Sequence, residues 1–241
     1  CFNTSMTGYQ EILTDPSYKS QFVNFTFPLI GIVGCNEEDF ESWKVQASGM
    51  ISNEVISLSS NWRSKDNFSK WLLDQNSCAF FDIDTRALTK IIRKHGPKNI
   101  MICSEDFFDK NGLDKIISLI NSSLTLEQND VIKEFTKELN LSKFDKHKNQ
   151  LSIGFLNFGA KDNIKNNLRL RNCDLYEYDM NFNADEIINL KLDGLFLSNG
   201  PGDPKKIYQN IKLELQKLLN ERIPTFGICL GHQILSLAFD A

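Results

Sequence analysis

The chain has 241 residues, 41% of them hydrophobic and 24% charged, with a formal net charge of -4 and a pI near 5.5. That length suits one large or two modest cores, and the weakly acidic balance offers no basic footprint for nucleic acid or a membrane surface. No apolar run approaches the roughly 20 residues of a membrane span, and no charged-then-apolar leader opens the chain. The six cysteines lie apart, without C-x-x-C pairs or neighbouring histidines, which argues against zinc and against a dense disulfide framework. A reducing, cytoplasmic setting is expected.

Residues 1–18, CFNTSMTGYQEILTDPSY, are polar and turn-rich, with Asp15-Pro16 as a turn opener. Gln21 to Ile32 clusters Phe, Val, Thr and Ile in the manner of a strand pair broken at Pro28. Thr85 to Lys94 has the period of a short amphipathic helix, with Leu88, Ile91 and Ile92 on one face and Arg86, Lys90, Arg93 and Lys94 on the other. Asp84 is placed to cap it and His95-Gly96-Pro97 to end it; a basic face of this kind is more often solvated than functional. Phe107 to Asn149 is the least informative part, with helical periods around Leu113–Ile120 and Val131–Leu139, and Ser142 to Gln150 has the composition of a linker. Two domains are expected, over 1–145 and 151–241.

Beyond the linker, strand and helix patterns alternate. Ser152–Asn157, Leu175–Tyr178, Gly194–Leu197 and Pro224–Phe226 read as strands; Asn163–Arg171, Ala184–Leu190 and Tyr208–Asn220 read as helices. Such alternation predicts an α/β domain with a parallel sheet covered on both faces. Ser198-Asn199-Gly200-Pro201-Gly202-Asp203-Pro204 follows the third of these strands as a Gly/Pro-rich loop, and Gly227-Ile228-Cys229-Leu230-Gly231 follows the fourth. Turns after parallel strands lie where open α/β sheets place ligands, so the two loops are expected to face one crevice.

The second loop has the form of a nucleophile elbow with sulfur in place of oxygen. Glycines two before and two after Cys229 remove the Cβ atoms that would clash as a strand doubles back into a helix. At a helix N-terminus the positive end of the dipole favours an anionic sulfur, and the N–H groups of Leu230 and Gly231 are placed to stabilise an oxyanion beside it. Taken alone, a buried cysteine in a Gly-flanked turn explains the pattern equally well.

The S-N-G-P-G-D-P loop and G-I-C-L-G-H-Q together resemble the class I glutamine amidotransferases. FNTSMTGYQEILTDPSY, with Asn61-Trp62-Arg63 and Asp82-Ile83-Asp84-Thr85-Arg86-Ala87-Leu88-Thr89, is similar to the amino-terminal domain of the carbamoyl-phosphate synthase small chain, which other amidotransferases of the class do not carry. Phe158-Gly159-Ala160-Lys161-Asp162-Asn163 resembles the family's F-G-x-K-x-N opening; Ile164-Lys165-Asn166-Asn167-Leu168 then departs from its N-I-L-R-x-L run, which is read as drift on a helix face. The resemblance implies a small mixed α/β amino-terminal domain followed by an open, mainly parallel-sheet amidotransferase domain. It also implies that the sequence is a fragment of a longer protein, lacking both ends.

The resemblance makes Cys229 the nucleophile, Leu230 an oxyanion donor, and Ser17, Gly200, Gly202, Leu230 and Gln233 the glutamine-binding residues. The base and its carboxylate are implied to lie downstream of Ala241; His232 of the G-H-Q run is not the base, and His95 and His147 have no claim from their settings. Ammonia would pass to a large synthetase chain or domain, the expected site of ATP, magnesium and potassium, to make carbamoyl phosphate for pyrimidine and arginine synthesis. No phosphate-binding G-x-x-x-x-G-K-[ST] loop occurs here, and neither a metal site nor a cofactor is expected in this chain. Two rivals stand beside this reading: another thiol hydrolase of the same fold, against which the 2–18 stretch argues, and a binding module that keeps the elbow without its chemistry.

Overall fold

The computed structural model describes residues 1–125, 131–138 and 150–241. The amino-terminal half runs β1 (Phe2–Asn3), α1 (Tyr9–Thr14), a single 3-10 turn at Pro16–Tyr18, β2 (Phe22–Phe25), β3 (Leu29–Ile30), β4 (Gly49–Ile51), β5 (Glu54–Val55), α2 (Phe68–Asp74), β6 (Ala79–Phe80) and α3 (Thr85–His95). The helices α4 (Glu105–Ser122) and α5 (Val131–Glu138) follow. Strands β1-β2-β4-β6 form one parallel sheet and β3-β5 a parallel pair. Pro28 therefore separates strands of two different sheets, because it cannot continue the β2 hydrogen-bond ladder.

Apolar side chains from α1, the sheet and α2 make the first core, in which Tyr9, Phe25, Met50 and Phe68 are buried. The Asp84 carboxylate accepts from Ala87 N at 2.8 Å to cap α3, and Gly96, at φ 75°, ends it. The expected apolar face of that helix is only partly packed, since Ile91 is 53% exposed. The helical period expected at Leu113–Ile120 falls in α4, which bends at Gly112. The linker expected at Ser142–Gln150 and residue Leu139 lie outside the described residues, Gln150 excepted.

The carboxyl-terminal half is β7 (Leu151–Leu156), α6 (Asp162–Arg169), β8 (Cys173–Tyr178), α7 (Ala184–Asn189), β9 (Gly194–Leu197), α8 (Pro204–Asn220), β10 (Thr225–Gly227) and α9 (Leu230–Ala238). All its strands are parallel, in the order β10-β9-β7-β8. Alternate residues divide between the faces. Leu156, Leu195 and Leu197 pack under α7, α8 and α9, where Ile207, Ile211, Leu215 and Leu218 recur at helical spacing; Phe155 and Phe196 point the other way, rings stacked 5.2 Å apart, towards α6. The expectation of a sheet covered on both faces holds for the first face only. Among the described residues α6 covers the β7–β8 side of the second, and Phe226 on β10 is 61% exposed.

Helix α5 joins the halves. Ile132 enters the core under α8, while Phe135 packs its ring 5.5 Å from Trp43 of the amino-terminal half. No helix among the described residues is long and apolar enough to cross a membrane.

Candidate active site

The path β7–α6–β8 runs outward to one edge of the sheet and β9–α8–β10 to the other, so the order reverses between the adjacent strands β7 and β9. A reversal of this kind is where the loops after parallel strands of open sheets generally form a ligand crevice. In this structure the two loops press together at their bases. A Cβ on Gly200 would lie 2.1 Å from Phe158 O, and one on Gly159 would lie 2.7 Å from Pro201 Cδ. Only glycines permit that approach.

Side chains fix the same turns. Asn157 Oδ1 accepts from Gly159 N at 3.0 Å and Ala160 N at 2.9 Å, while its amide donates to the buried Glu177 carboxylate at 3.1 Å. Ser198 Oγ accepts from Phe158 N at 2.9 Å and donates to Asn199 O at 2.7 Å. The loop ends as a helix start: Asp203 accepts from Lys205 N at 3.0 Å and Pro204 occupies the first position of α8, where its missing N–H costs nothing. Asp203→Ala is expected to lower the stability of the folded protein by about 1 kcal/mol, read from the midpoint of urea denaturation.

Cys229 sits between β10 and α9 with φ 51° and ψ -108°, a backbone region that costs a non-glycine residue on the order of 1–3 kcal/mol. Its surroundings impose the conformation. Ile228 N donates to Leu197 O at 3.0 Å and Gly231 N to Ser198 O at 3.0 Å, tying both sides of the turn to the end of β9. A Cβ on Gly227 would lie 2.6 Å from Gly231 C, and one on Gly231 would lie 2.2 Å from Leu197 O. The result is an exposed thiol at the N-cap of a nine-residue helix, facing the positive end of its dipole.

The two N–H groups expected to serve an oxyanion differ in fact. Gly231 N–H is taken by Ser198 O and, at 2.9 Å, by Ile228 O, so it is not available and that expectation is corrected. Leu230 N–H has no backbone acceptor among the described residues and follows directly on the cysteine.

The amino-terminal half reaches into the same crevice. Asn199 donates to Ser17 Oγ at 3.0 Å and to Asp15 Oδ1 at 3.4 Å, and its own Oδ1 accepts from Lys161 N at 3.1 Å. The Lys161 ammonium completes the ring with Asp15 Oδ2 at 3.0 Å. Burial alone lowers the Lys161 pKa, but the Asp15 carboxylate, with Glu41 and Tyr18 beyond it, outweighs that and holds it above the ordinary lysine value. Lysine thus stays charged at neutral pH between the two halves.

Of the residues expected from sequence, Ser17, Gly200, Cys229 and Leu230 are joined through Asn199, Ser198 and the elbow hydrogen bonds. Gly202, at φ 100°, lies further along the loop, and Gln233 lies one turn into α9, its N–H bonded to Cys229 O at 3.0 Å. Sequence reasoning did not single out Asp15, Lys161 or Asn199 as site residues. Lys161 and Asn199 lie within quoted motifs, and their place in strand-end turns was the one available signal. His232 is exposed on the first turn of α9 with no hydrogen bond to Cys229 among the described residues, His95 ends α3, and His147 lies outside the described residues.

Two family models match the chain: "Carbamoyl-phosphate synthase small chain, CPSase domain" over residues 1–102 and "Glutamine amidotransferase class-I" over residues 155–241. The carbamoyl phosphate synthase small chain of Campylobacter jejuni is 39% identical over 254 aligned residues, covering 99% of this chain and 67% of the relative. The chain belongs to the carbamoyl-phosphate synthase small chain family. The small chain of Clostridium acetobutylicum is 39% identical, covering 98% of this chain and 64% of the relative. The pyrimidine-specific small chain of Bacillus subtilis is 40% identical over 240 residues, covering 100% and 64%. The chain thus spans about two thirds of the length of the small chains it matches. The first matched region holds the β1-β2-β4-β6 sheet and the β3-β5 pair, the second nearly all of the β10-β9-β7-β8 sheet, and the loops described above come from both.

Proposed function

We propose that this chain forms the glutamine-binding and nucleophile-bearing part of a glutamine-hydrolysing carbamoyl-phosphate synthase subunit. The observation that carries the reading is the exposed Cys229 thiol in a strained elbow beside a strand-end loop that is tied to the amino-terminal half through Asn199, Ser17 and Asp15.

The Cys229 sulfur attacks the side-chain amide carbon of glutamine, and the oxygen of the tetrahedral intermediate takes a hydrogen bond from Leu230 N–H. The C–N bond breaks, the nitrogen leaves as ammonia, and water hydrolyses the glutamyl thioester to glutamate and free thiol. Gly200 and Gly202 admit the amino-acid end of the substrate by close backbone approach, with Ser17 and Gln233 supplying polar contacts. The histidine and glutamate that serve the thiol as base and orienting carboxylate belong, by the family resemblance, to positions downstream of Ala241.

Ammonia then passes to a large synthetase chain or fused domain, where ATP, with magnesium and potassium, and bicarbonate yield carbamoyl phosphate. The product would feed pyrimidine and arginine synthesis in the cytoplasm. The test is to combine the full-length protein with its synthetase partner and measure glutamate release and carbamoyl phosphate formation from glutamine. Stoichiometric production of both supports the reading; synthesis from free ammonia but never from glutamine contradicts it and favours the binding module.

A further inference from the structure

Helix α6 carries the Phe158–Lys161 turn into the crevice, yet it lacks a side-chain cap of its own. Its N-cap residue is Lys161, which makes no capping bond and instead sends its ammonium to Asp15. The missing acceptors come from Glu41, 122 residues before Asn163. Glu41 O accepts from Asp162 N at 2.9 Å, its Oε2 from Asn163 N at 3.1 Å and its Oε1 from Asn163 Nδ2 at 3.2 Å. A buried carboxylate at the positive end of a helix is favourably placed, and each unpaired N–H there would otherwise be costly.

Glu41 is itself held at the crevice. Its N–H donates to Thr14 Oγ1 at 2.9 Å, and Ser42 Oγ donates to Thr14 O at 2.6 Å. Thr14 adjoins Asp15, so the group that caps α6 and the groups that hold Lys161 and Asn199 are set by one short segment of the amino-terminal half. The Phe158–Lys161 turn is gripped at its start by Ser198 and at its end by Glu41. Since Gly159 packs directly on Gly200 and Pro201, the position of that turn fixes the position of the loop proposed to receive glutamine.

We infer that Glu41 is a positioning residue through which the amino-terminal half sets the geometry of the glutamine crevice. The inference rests on the function proposed above.

The test compares Asn163→Asp with the double variant Glu41→Gln/Asn163→Asp in the full-length protein assembled with its synthetase partner. Asn163→Asp sets two carboxylates against each other. Adding Glu41→Gln reverses donor and acceptor, so that the new amide donates to the new carboxylate while its oxygen still accepts from the backbone N–H. The expected result is a KM for glutamine raised roughly tenfold by the first change and largely returned by the second, as contacting residues couple by such amounts. Ammonia-driven synthesis stays unchanged throughout. A glutamine KM indifferent to Asn163→Asp, or one that the second change fails to restore, would overturn the inference. Should Asn163→Asp fail to fold, Glu41→Ala, which removes both side-chain acceptors, is read in the same way: a raised glutamine KM with unchanged ammonia-driven synthesis supports it, and unchanged glutamine kinetics overturn it. If the unsubstituted complex uses no glutamine at all, the function itself falls, and this inference with it.

Discussion

Cys229→Ser, made in the full-length protein with its synthetase partner, is expected to reduce glutamine-dependent carbamoyl phosphate formation by at least about 10³-fold while free ammonia still drives synthesis at the original rate. A hydroxyl holds its proton far more tightly than a thiol, and nothing at the elbow compensates for that difference. The substitution is sterically small and the residue is exposed, so the fold has no reason to respond. The two substrates separate the steps: glutamine requires the sulfur, ammonia does not. Glutamine-dependent synthesis that survived the change would remove Cys229 from the mechanism.

Gly231→Ala should lower the stability of the fold. In an ordinary first helical turn alanine would be favoured over glycine by up to about 1 kcal/mol. Here its Cβ would lie 2.2 Å from Leu197 O and 2.6 Å from Leu197 C, both backbone atoms of a central strand that cannot rotate away. Relief requires α9 to move off β9, which breaks the Gly231 N–H bond to Ser198 O and carries Leu230 N–H out of place. Overpacking of this kind costs about 1–3 kcal/mol, or roughly 2–12 °C in melting temperature for a chain of this size. Glutamine use would fall with it. A variant that melted at the original temperature would show that the elbow is looser than its contacts indicate.

Much of this architecture is written locally in the chain. The glycines around Cys229 declare a turn in which backbone meets backbone, and the structure supplies the reason for each: Gly227 faces Gly231, and Gly231 faces Leu197. The strand β9 follows from its apolar run Gly194–Leu197, all four residues buried, because a parallel strand buried on both faces needs no alternation. What the sequence did not reveal depends on distance along the chain. Glu41 and Asn163, or Asp15 and Lys161, are ordinary polar residues until folding sets them side by side, and no local period marks such pairs. The assignment of a free N–H to Gly231 failed for a related reason. One of its acceptors, Ser198 O, lies in the loop after another strand, so capping rules for an isolated helix could not count it. Partial cover of the second sheet face was equally hidden, since Phe226 reads as a core residue by composition although it is largely exposed.

The most direct measurement is mass spectrometry of the full-length protein after exposure to a glutamine-analogue electrophile. The account predicts one modification per chain, on Cys229, prevented by excess glutamine. Exposure alone would not give that selectivity, because Cys78 and Cys103 are also exposed. Cys35 should stay unmodified: burial, reinforced by the nearby Asp66, Asp39 and Glu11 carboxylates, pushes its thiol up to about 12, leaving a thiolate fraction on the order of 10⁻⁵ at neutral pH. Labelling spread across the exposed cysteines without protection by glutamine, or none at Cys229, would contradict the presence of a glutamine pocket with a reactive thiol.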